Sequence, residues 1–371
     1  LNRRGYLYTT TDPKRIPIFK QAGERAAAQG AGPLRIHGGK VGDFGLPYTP
    51  APAHGFGDQP DGADLILDPT LLRAHFPYLS ENTVAAVHAR RCGWFSAQQL
   101  GAYLLERAKE HGAQVVSARV ESVEVKGRVR AVKLSDGGLI STDVFVNAAG
   151  PLLKNVGRMI GVDLPVFSER HTKIAFKDHL GVLPRDAPFI ICADPITLDW
   201  SDDEREILAE SRETAWMLNK LPAGAHLRPE GIGESNILLM LWAYEAAPVP
   251  EVFPVSFDPS FPDIVLRGLA KMIPGLRVYF ANAPKPMVDG GYYTKTRENR
   301  PLIGPLPVEG AFVIGALSGY GIMAAPAAGE LLAAHVTGDS LPIYAQAFAL
   351  SRYDNLAYQT LLEKWDDTGQ L

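Results

Sequence analysis

Cysteine is scarce in this chain of 371 residues: only Cys92 and Cys192 are present, far apart. That excludes a disulfide framework and a cysteine-built zinc site, and it points to a reducing, cytoplasmic setting, with an organelle matrix as the alternative. The nine histidines show no H-x-x-x-H or similar ligand spacing, so no metal is expected. Positive charge is also lacking. Lys and Arg number 37 against 41 Asp and Glu, the net charge is -4, and no basic cluster stands out, which excludes a dedicated nucleic-acid binder. Long apolar runs are missing too. The richest, Ile237 to Tyr244, is the length of a strand, so no membrane span is expected. There is no internal repeat and no low-complexity tract.

What remains is an ordinary globular composition, 46% hydrophobic and 21% charged, long enough for two domains or one interleaved unit. GYLYTT, from Gly5, reads as a strand, and a polar helix follows over about 13–29. Residues 38–64, rich in Gly, Pro and Asp, read as irregular loop. Asp68-Pro69 opens a short helix, and Val84 to Ala89 reads as a strand. Ser96 can cap a helix to His111 whose Ala97, Leu100, Leu104 and Ala108 form one apolar face. Val115 to Val125 is strand-like and pairs back through Val129 to Leu134 across a Lys126-Gly127 turn. The short strand DVFVN, Asp143 to Asn147, runs into Ala148-Ala149-Gly150 and a helix starting at Pro151. From Val166 to Lys285 the chain mixes aromatic-rich strands with two helices. One, Asp202 to Thr214, is acidic and reads as a solvated face; the other spans about 261–272. A last helix is expected near Tyr344 to Tyr353. Two α/β stretches thus flank a β-rich middle.

The stretch AFVIGALSGYGIMAAPAAGELLAAH, from Ala311 to His335, carries the clearest local chemistry. A buried strand, Ala311 to Leu317, meets Ser318-Gly319-Tyr320-Gly321 and then an apolar helix with Pro326 in its first turns. The opening N–H groups of a helix have no internal partner and carry partial positive charge. Glycine lets another group approach them. The corner therefore suits an anionic or electron-rich ligand edge, and Gly319, Gly321 and Ala324 fit the loose form G-x-G-x-x-A. Alone, it is equally a tightly packed turn that binds nothing. A nucleophile elbow is excluded, because Tyr320 stands where G-x-S-x-G needs glycine.

Taken in order, GYLYTT, FPYLSENTVAAVHARRCGW, HGAQVVSARVESVEV, DVFVNAAGPLLKNV, RPEG, GGYYTKTRENRPLIGP and GALSGYGIMAAPAAGELL resemble the FAD-dependent oxidoreductases of the D-amino-acid oxidase type. That family includes glycine oxidase, sarcosine oxidase and dimethylglycine dehydrogenase, and the likeness runs from Gly5 to about Asp354. It implies a mixed α/β fold in which a Rossmann-like FAD-binding domain (84–165 and 286–356) interleaves with a β-rich antiparallel substrate domain (1–83 and 166–285). It implies hydride transfer from a C–N or C–OH carbon to FAD, with a small-molecule amine, amino acid or 2-hydroxy acid as substrate and oxygen or an electron carrier as acceptor. By motif, Val120 lies beside the adenine, Ala148, Ala149 and Gly150 pass the pyrophosphate and ribose, and Gly291 faces the flavin ring. Ser318, Gly319, Tyr320, Gly321, Ile322 and Met323 meet its pyrimidine end. Tyr293, Tyr320 and Arg228 are the candidate catalytic residues.

Departures from the family pattern carry their own expectations. Gly291 stands where some relatives attach the flavin through Cys, so FAD is expected to be non-covalent. No Arg aligns at Tyr293 to fork a substrate carboxylate; Arg228 or Arg297 would have to serve, and a bulkier amine, amino acid or 2-hydroxy acid is expected in place of a small amino acid. The strand, G-x-G-x-x-G and helix with which such proteins open are not found before Val115, and the chain starts at Leu1. The expectation is a chain lacking that segment, with weak or no FAD binding on its own. The alternative reading is a non-catalytic family member that acts as a binding or assembly partner.

Overall fold

The computed structural model describes residues 2–38, 47–52, 59–231 and 233–365. The glycine-rich stretches within 38–64 fall largely outside that description. In chain order the elements begin with β1 (Tyr6–Thr10), α1 (Ile16–Ala26), β2 (Leu34–His37), β3 (Ala63–Ile66), α2 (Pro69–His75), β4 (Ala85–Ala89) and α3 (Ala97–Glu110). Then come β5 (Val120–Lys126), β6 (Arg128–Leu134), β7 (Leu139–Ser141), β8 (Phe145–Asn147), α4 (Leu153–Arg158), β9 (Phe167–Lys177), β10 (Phe189–Cys192) and β11 (Ile196–Thr197). After α5 (Asp202–Glu210) follow β12 (Lys220–Leu221), β13 (His226–Glu230), β14 (Ile237–Leu241), α6 (Phe261–Met272) and β15 (Met287–Lys295). The chain closes with β16 (Leu302–Pro305), β17 (Ala311–Gly315), α7 (Gly321–Thr337) and α8 (Leu356–Glu363).

These elements form two compact units. One comprises Leu1–Ser96, Thr172–Glu245 and Ser256–Gly290; the other comprises Ala97–His171, Ala246–Val255 and Gly291–Leu371. The chain passes from one to the other within β9 and within β15.

The first unit is built on a large mixed sheet of order β15-β9-β14-β13-β10-β1-β4-β3-β2. β1 runs parallel to β10 and antiparallel to β4, and β10, β13, β14 and β9 alternate in direction. The helix α6 is amphipathic enough to bury Ile264, Val265, Leu266 and Leu269. It lies against Trp242 so closely that a Cβ on Gly268 would meet the indole at 2.3 Å. Residue size there is dictated by packing.

The second unit contains two small sheets, β16-β17-β8 and β5-β6-β7. Their inner faces share one core, in which Val123, Val129 and Val132 pack with Phe145, Leu153, Val313 and Ala316.

Several expectations shift. The strand expected from Val115 begins at Val120; just before it Arg119 still exchanges hydrogen bonds with Ser135, while Val115 and Val116 stay 63% and 53% exposed. The apolar face of α3 is likewise uncovered, with Leu104 46% exposed and no residue of the helix buried. The acidic α5 is not simply a solvated face. Ser201 and Glu204 form a capping box, and Glu204 also holds the buried Arg267 at 2.6 Å. The helix expected near Tyr344 resolves into two 3-10 turns, Ala345–Ala347 and Leu350–Asp354, before α8.

Two buried polar networks brace the units. In the first, His88 Nε2 donates to the Arg4 carbonyl at 2.9 Å, so its Nδ1 accepts from Tyr48 Oη at 3.0 Å and Arg90 Nη1 at 2.7 Å. Burial, then the Arg90 charge, pushes His88 down to about 4, against the opposing pull of the Arg4 carbonyl. In the second unit, Glu298 Oε1 accepts from Arg352 Nη2 at 2.7 Å and from the hydroxyls of Tyr353 and Tyr358. Both charged side chains are almost completely buried.

The unfolded chain protonates His88 near its ordinary value of about 6.5, and the folded chain does not until about pH 4. The stabilisation is therefore present above about pH 6.5 and lost as pH falls toward 4, on the order of 3 kcal/mol. Denaturant titrations across that range should show the fall, and His88→Asn should flatten it. Arg352→Met strands the buried Glu298 carboxylate and should cost about 3–5 kcal/mol, whereas the joint replacement R352M/E298L should cost less than the single one.

Candidate functional site

The decisive geometry lies in the smaller sheet of the second unit. β8 and β17 are parallel neighbours, with Ala311 opposite Phe145, Phe312 opposite Val146 and Val313 opposite Asn147. Both strands therefore end at the same sheet edge, and both feed helices there. Ala148-Ala149-Gly150 leaves β8 through a 3-10 turn into α4; Ala316 to Tyr320 leaves β17 through another into α7. In parallel sheets, ligands bind outside the carboxyl ends of the strands.

Why the chain turns as it does at this edge is visible in the side chains. Asn147 is buried; its Nδ2 donates to the Leu153 carbonyl at 2.8 Å, and its Oδ1 accepts from the Ala149 N–H at 3.3 Å. That clamps the Ala148–Gly150 bend. Gly150 takes a φ of 56°, and a Cβ built on it would meet nothing within 4 Å, so the bend faces open space. A Cβ on Gly315 would strike Leu153 at 2.8 Å, which ties the two connections together.

Backbone strain concentrates on the β17 side. Ala316 and Ser318 hold φ of 54° and 52°, a region that costs non-glycine residues roughly 1–2 kcal/mol each. Such outliers persist where the surroundings over-determine them, commonly at ligand sites. The N-cap residue of α7, Tyr320, makes no side-chain capping bond, and the first turn is half-exposed or exposed, with Met323 67% exposed. An uncapped, accessible helix N-terminus favours negative charge.

The other expected residues fall elsewhere. Val120 opens β5 and packs on the shared core that also contains Ala316 and Val313. Gly291 and Tyr293 lie on β15, and alternation puts both on one face with Lys295. Open space surrounds the Gly291 Cβ direction. Tyr293 stacks on His171, with ring centroids 3.9 Å apart and planes 18° apart. His171 Nε2 lies 3.3 Å from Glu169 Oε2, and Lys295 Nζ bridges both Glu169 oxygens at 3.1 and 3.2 Å. Arg228 belongs to the first unit. Its Nε and Nη2 donate to Glu230, and its guanidinium lies over Trp94 and Phe189. The structure thus joins Ala148–Gly150 to Ser318–Met323, places Gly291 and Tyr293 in the same unit, and puts Arg228 in the other.

A family model described as DAO, FAD dependent oxidoreductase, matches residues 51–335. The chain belongs to this family. Solved structures of similar fold include L-proline dehydrogenase from P. horikoshii, 19% identical with a TM-score of 0.66 over 95% of this chain and 77% of that one. Glycine oxidase from Geobacillus kaustophilus is 16% identical with a TM-score of 0.67, covering 94% and 75%. Iminodiacetate oxidase from Chelativorans sp. BNC1 is 18% identical with a TM-score of 0.66, covering 94% and 75%. No curated protein sequence matches the chain. The mixed α/β fold is the fold of these family structures.

The residues present fit the cofactor of the family. At the β8 and β17 ends, small side chains, open space beyond Gly150 and two left-handed non-glycine residues leave room for a ligand, and Gly291 on β15 likewise has open space in its Cβ direction. Among the described residues no cluster of His, Cys, Asp or Glu could hold a metal, and no helix is long and apolar enough to cross a membrane.

Sequence reading missed Asn147, Glu169, His171 and Lys295. Asn147 was legible in principle: an Asn closing a short strand before small residues commonly fixes a turn through its own side chain. The other three are joined only by the pairing of β9 with β15, which local pattern does not reveal. Asn147→Leu keeps the volume but removes both clamping bonds. It should cost about 1–3 kcal/mol of stability, and FAD affinity should fall at least tenfold by fluorescence titration.

Proposed function

We propose that this protein oxidises an amine or amino acid at its C–N carbon, with a C–OH substrate as the lesser possibility, using non-covalently bound FAD. The observation that carries the reading is the parallel register of β8 and β17, which sets Ala148–Gly150 beside Ser318–Met323 at one sheet edge. The names of the similar structures, a proline dehydrogenase, a glycine oxidase and an iminodiacetate oxidase, support an amine substrate.

Bound FAD supplies the acceptor for a hydride; the chain binds and orients. Ala148, Ala149 and Gly150, clamped by Asn147, would hold the diphosphate and ribose region, with Val120 toward the adenine. The N–H groups of Ser318 to Met323, at the positive end of the α7 dipole, would face the ring edge that gathers negative charge. Such a helix terminus contributes about 0.3–1 kcal/mol when exposed and up to about 2 when partly buried. Gly291, lacking a side chain and lacking a thiol, leaves room for the ring. Tyr293 and Tyr320 would border the substrate. We assign Arg228 a positioning role, since Glu230 and two aromatic rings already engage its guanidinium.

The test is FAD titration followed by anaerobic addition of L-proline, glycine, iminodiacetate and a 2-hydroxy acid. The expected outcome is weak, saturable FAD binding and loss of the yellow absorbance with at least one amine. A chain that takes up no flavin, or flavin that no amine bleaches, would overturn the proposal and leave a binding or assembly role.

A further inference from the structure

The face of β15 that carries Gly291 also carries Tyr293, about 7 Å further along, and then Lys295. On β9, alternation likewise puts Glu169 and His171 on one face. The four side chains meet. Lys295 and Glu169 are about 95% buried and form a two-oxygen ion pair, so their charges cancel within the cluster. His171 is 10% exposed and lies flat against the Tyr293 ring. A carboxylate can only accept, so the imidazole nitrogen facing Glu169, Nε2, carries the hydrogen. That tautomer leaves a lone pair on Nδ1, which has no hydrogen-bond partner among the described residues.

An amine loses hydride readily only when its nitrogen lone pair is free to stabilise the carbon left behind. Amine substrates arrive in neutral water as ammonium ions. We propose that His171 is the proton acceptor for the substrate ammonium, an inference that rests on the amine-oxidase reading above. The substrate N–H bond breaks, its electron pair stays on the substrate nitrogen, and the proton bonds to His171 Nδ1. Glu169 then faces an imidazolium, Lys295 fixes the Glu169 carboxylate, and Tyr293 holds the ring plane. Glu169 and Lys295 are therefore positioning residues, and His171 is the catalytic one. The substrate class that follows is a primary, secondary or tertiary amine whose ammonium form has a removable proton, not a quaternary ammonium and not a 2-hydroxy acid.

The charges facing the ring agree with this assignment. Burial, chiefly, and the Lys295 charge hold His171 below its ordinary value, while the hydrogen bond and charge of Glu169 oppose them. The neutral, accepting form therefore dominates at pH 7.

The test has two readouts on the flavin-loaded protein. The first is the ring nitrogen-15 spectrum of wild-type His171 at pH 7. An Nε2–H tautomer is expected; an Nδ1–H tautomer or a doubly protonated ring overturns the proposal. The second is the pH profile of single-turnover flavin reduction by L-proline, glycine and iminodiacetate. His171→Asn should lose about 10²-fold at pH 7, and its rising limb should move to more alkaline pH, with the rate recovering as the free amine accumulates. His171→Gln serves if the first variant does not fold. A variant profile that keeps the wild-type pH dependence overturns the role of His171 alone. Failure of every amine to reduce the wild-type flavin overturns the amine reading itself, and this inference with it.

Discussion

Val313 and Asn147 face each other in a parallel pair, and the rest of the site follows from that pairing. Because the two strands point the same way, each must leave the sheet at the same edge and turn into a helix. Small residues follow both strands, so neither turn fills the space beyond the edge. Shifting that register would change which residues leave together. Antiparallel pairing would send Ala148–Gly150 and Ser318–Met323 to opposite ends.

The edge is held by few, well-placed contacts. Asn147 satisfies two backbone groups of the first bend, Leu153 fills the space that a side chain on Gly315 would need, and two residues of the second bend accept a left-handed backbone. The strain at Ala316 and Ser318 is small against the core behind them, where Val313, Leu153 and Phe145 are packed. This division of labour is general: a rigid apolar layer holds a polar, slightly strained rim in one geometry.

Much of this was legible in the sequence. The strand-to-helix corner at Ala311–His335 follows from its apolar run, its glycines and its small residues, and the Ala148–Gly150 bend from the short strand before it. Local pattern could not reveal partners. Val115 and Val116 have strand propensity but no sheet pairing among the described residues, and the strand starts only at Val120. Leu100 and Leu104 mark an apolar face on α3 that the described residues leave uncovered. The Lys295–Glu169–His171–Tyr293 cluster joins residues more than 120 positions apart, each unremarkable in its own segment. Arg228 was picked out for its charge, and its engagement by Glu230, Trp94 and Phe189 depends on β13 geometry that sequence does not specify.

The central claim is that one sheet edge of the second unit receives the cofactor. Backbone amide exchange with deuterium, followed with and without FAD, tests it most directly. The account predicts that FAD slows exchange at Ala148–Gly150 and Ser318–Met323 before any other segment. Bound FAD that leaves both segments exchanging as before, while protecting amides elsewhere, would contradict it.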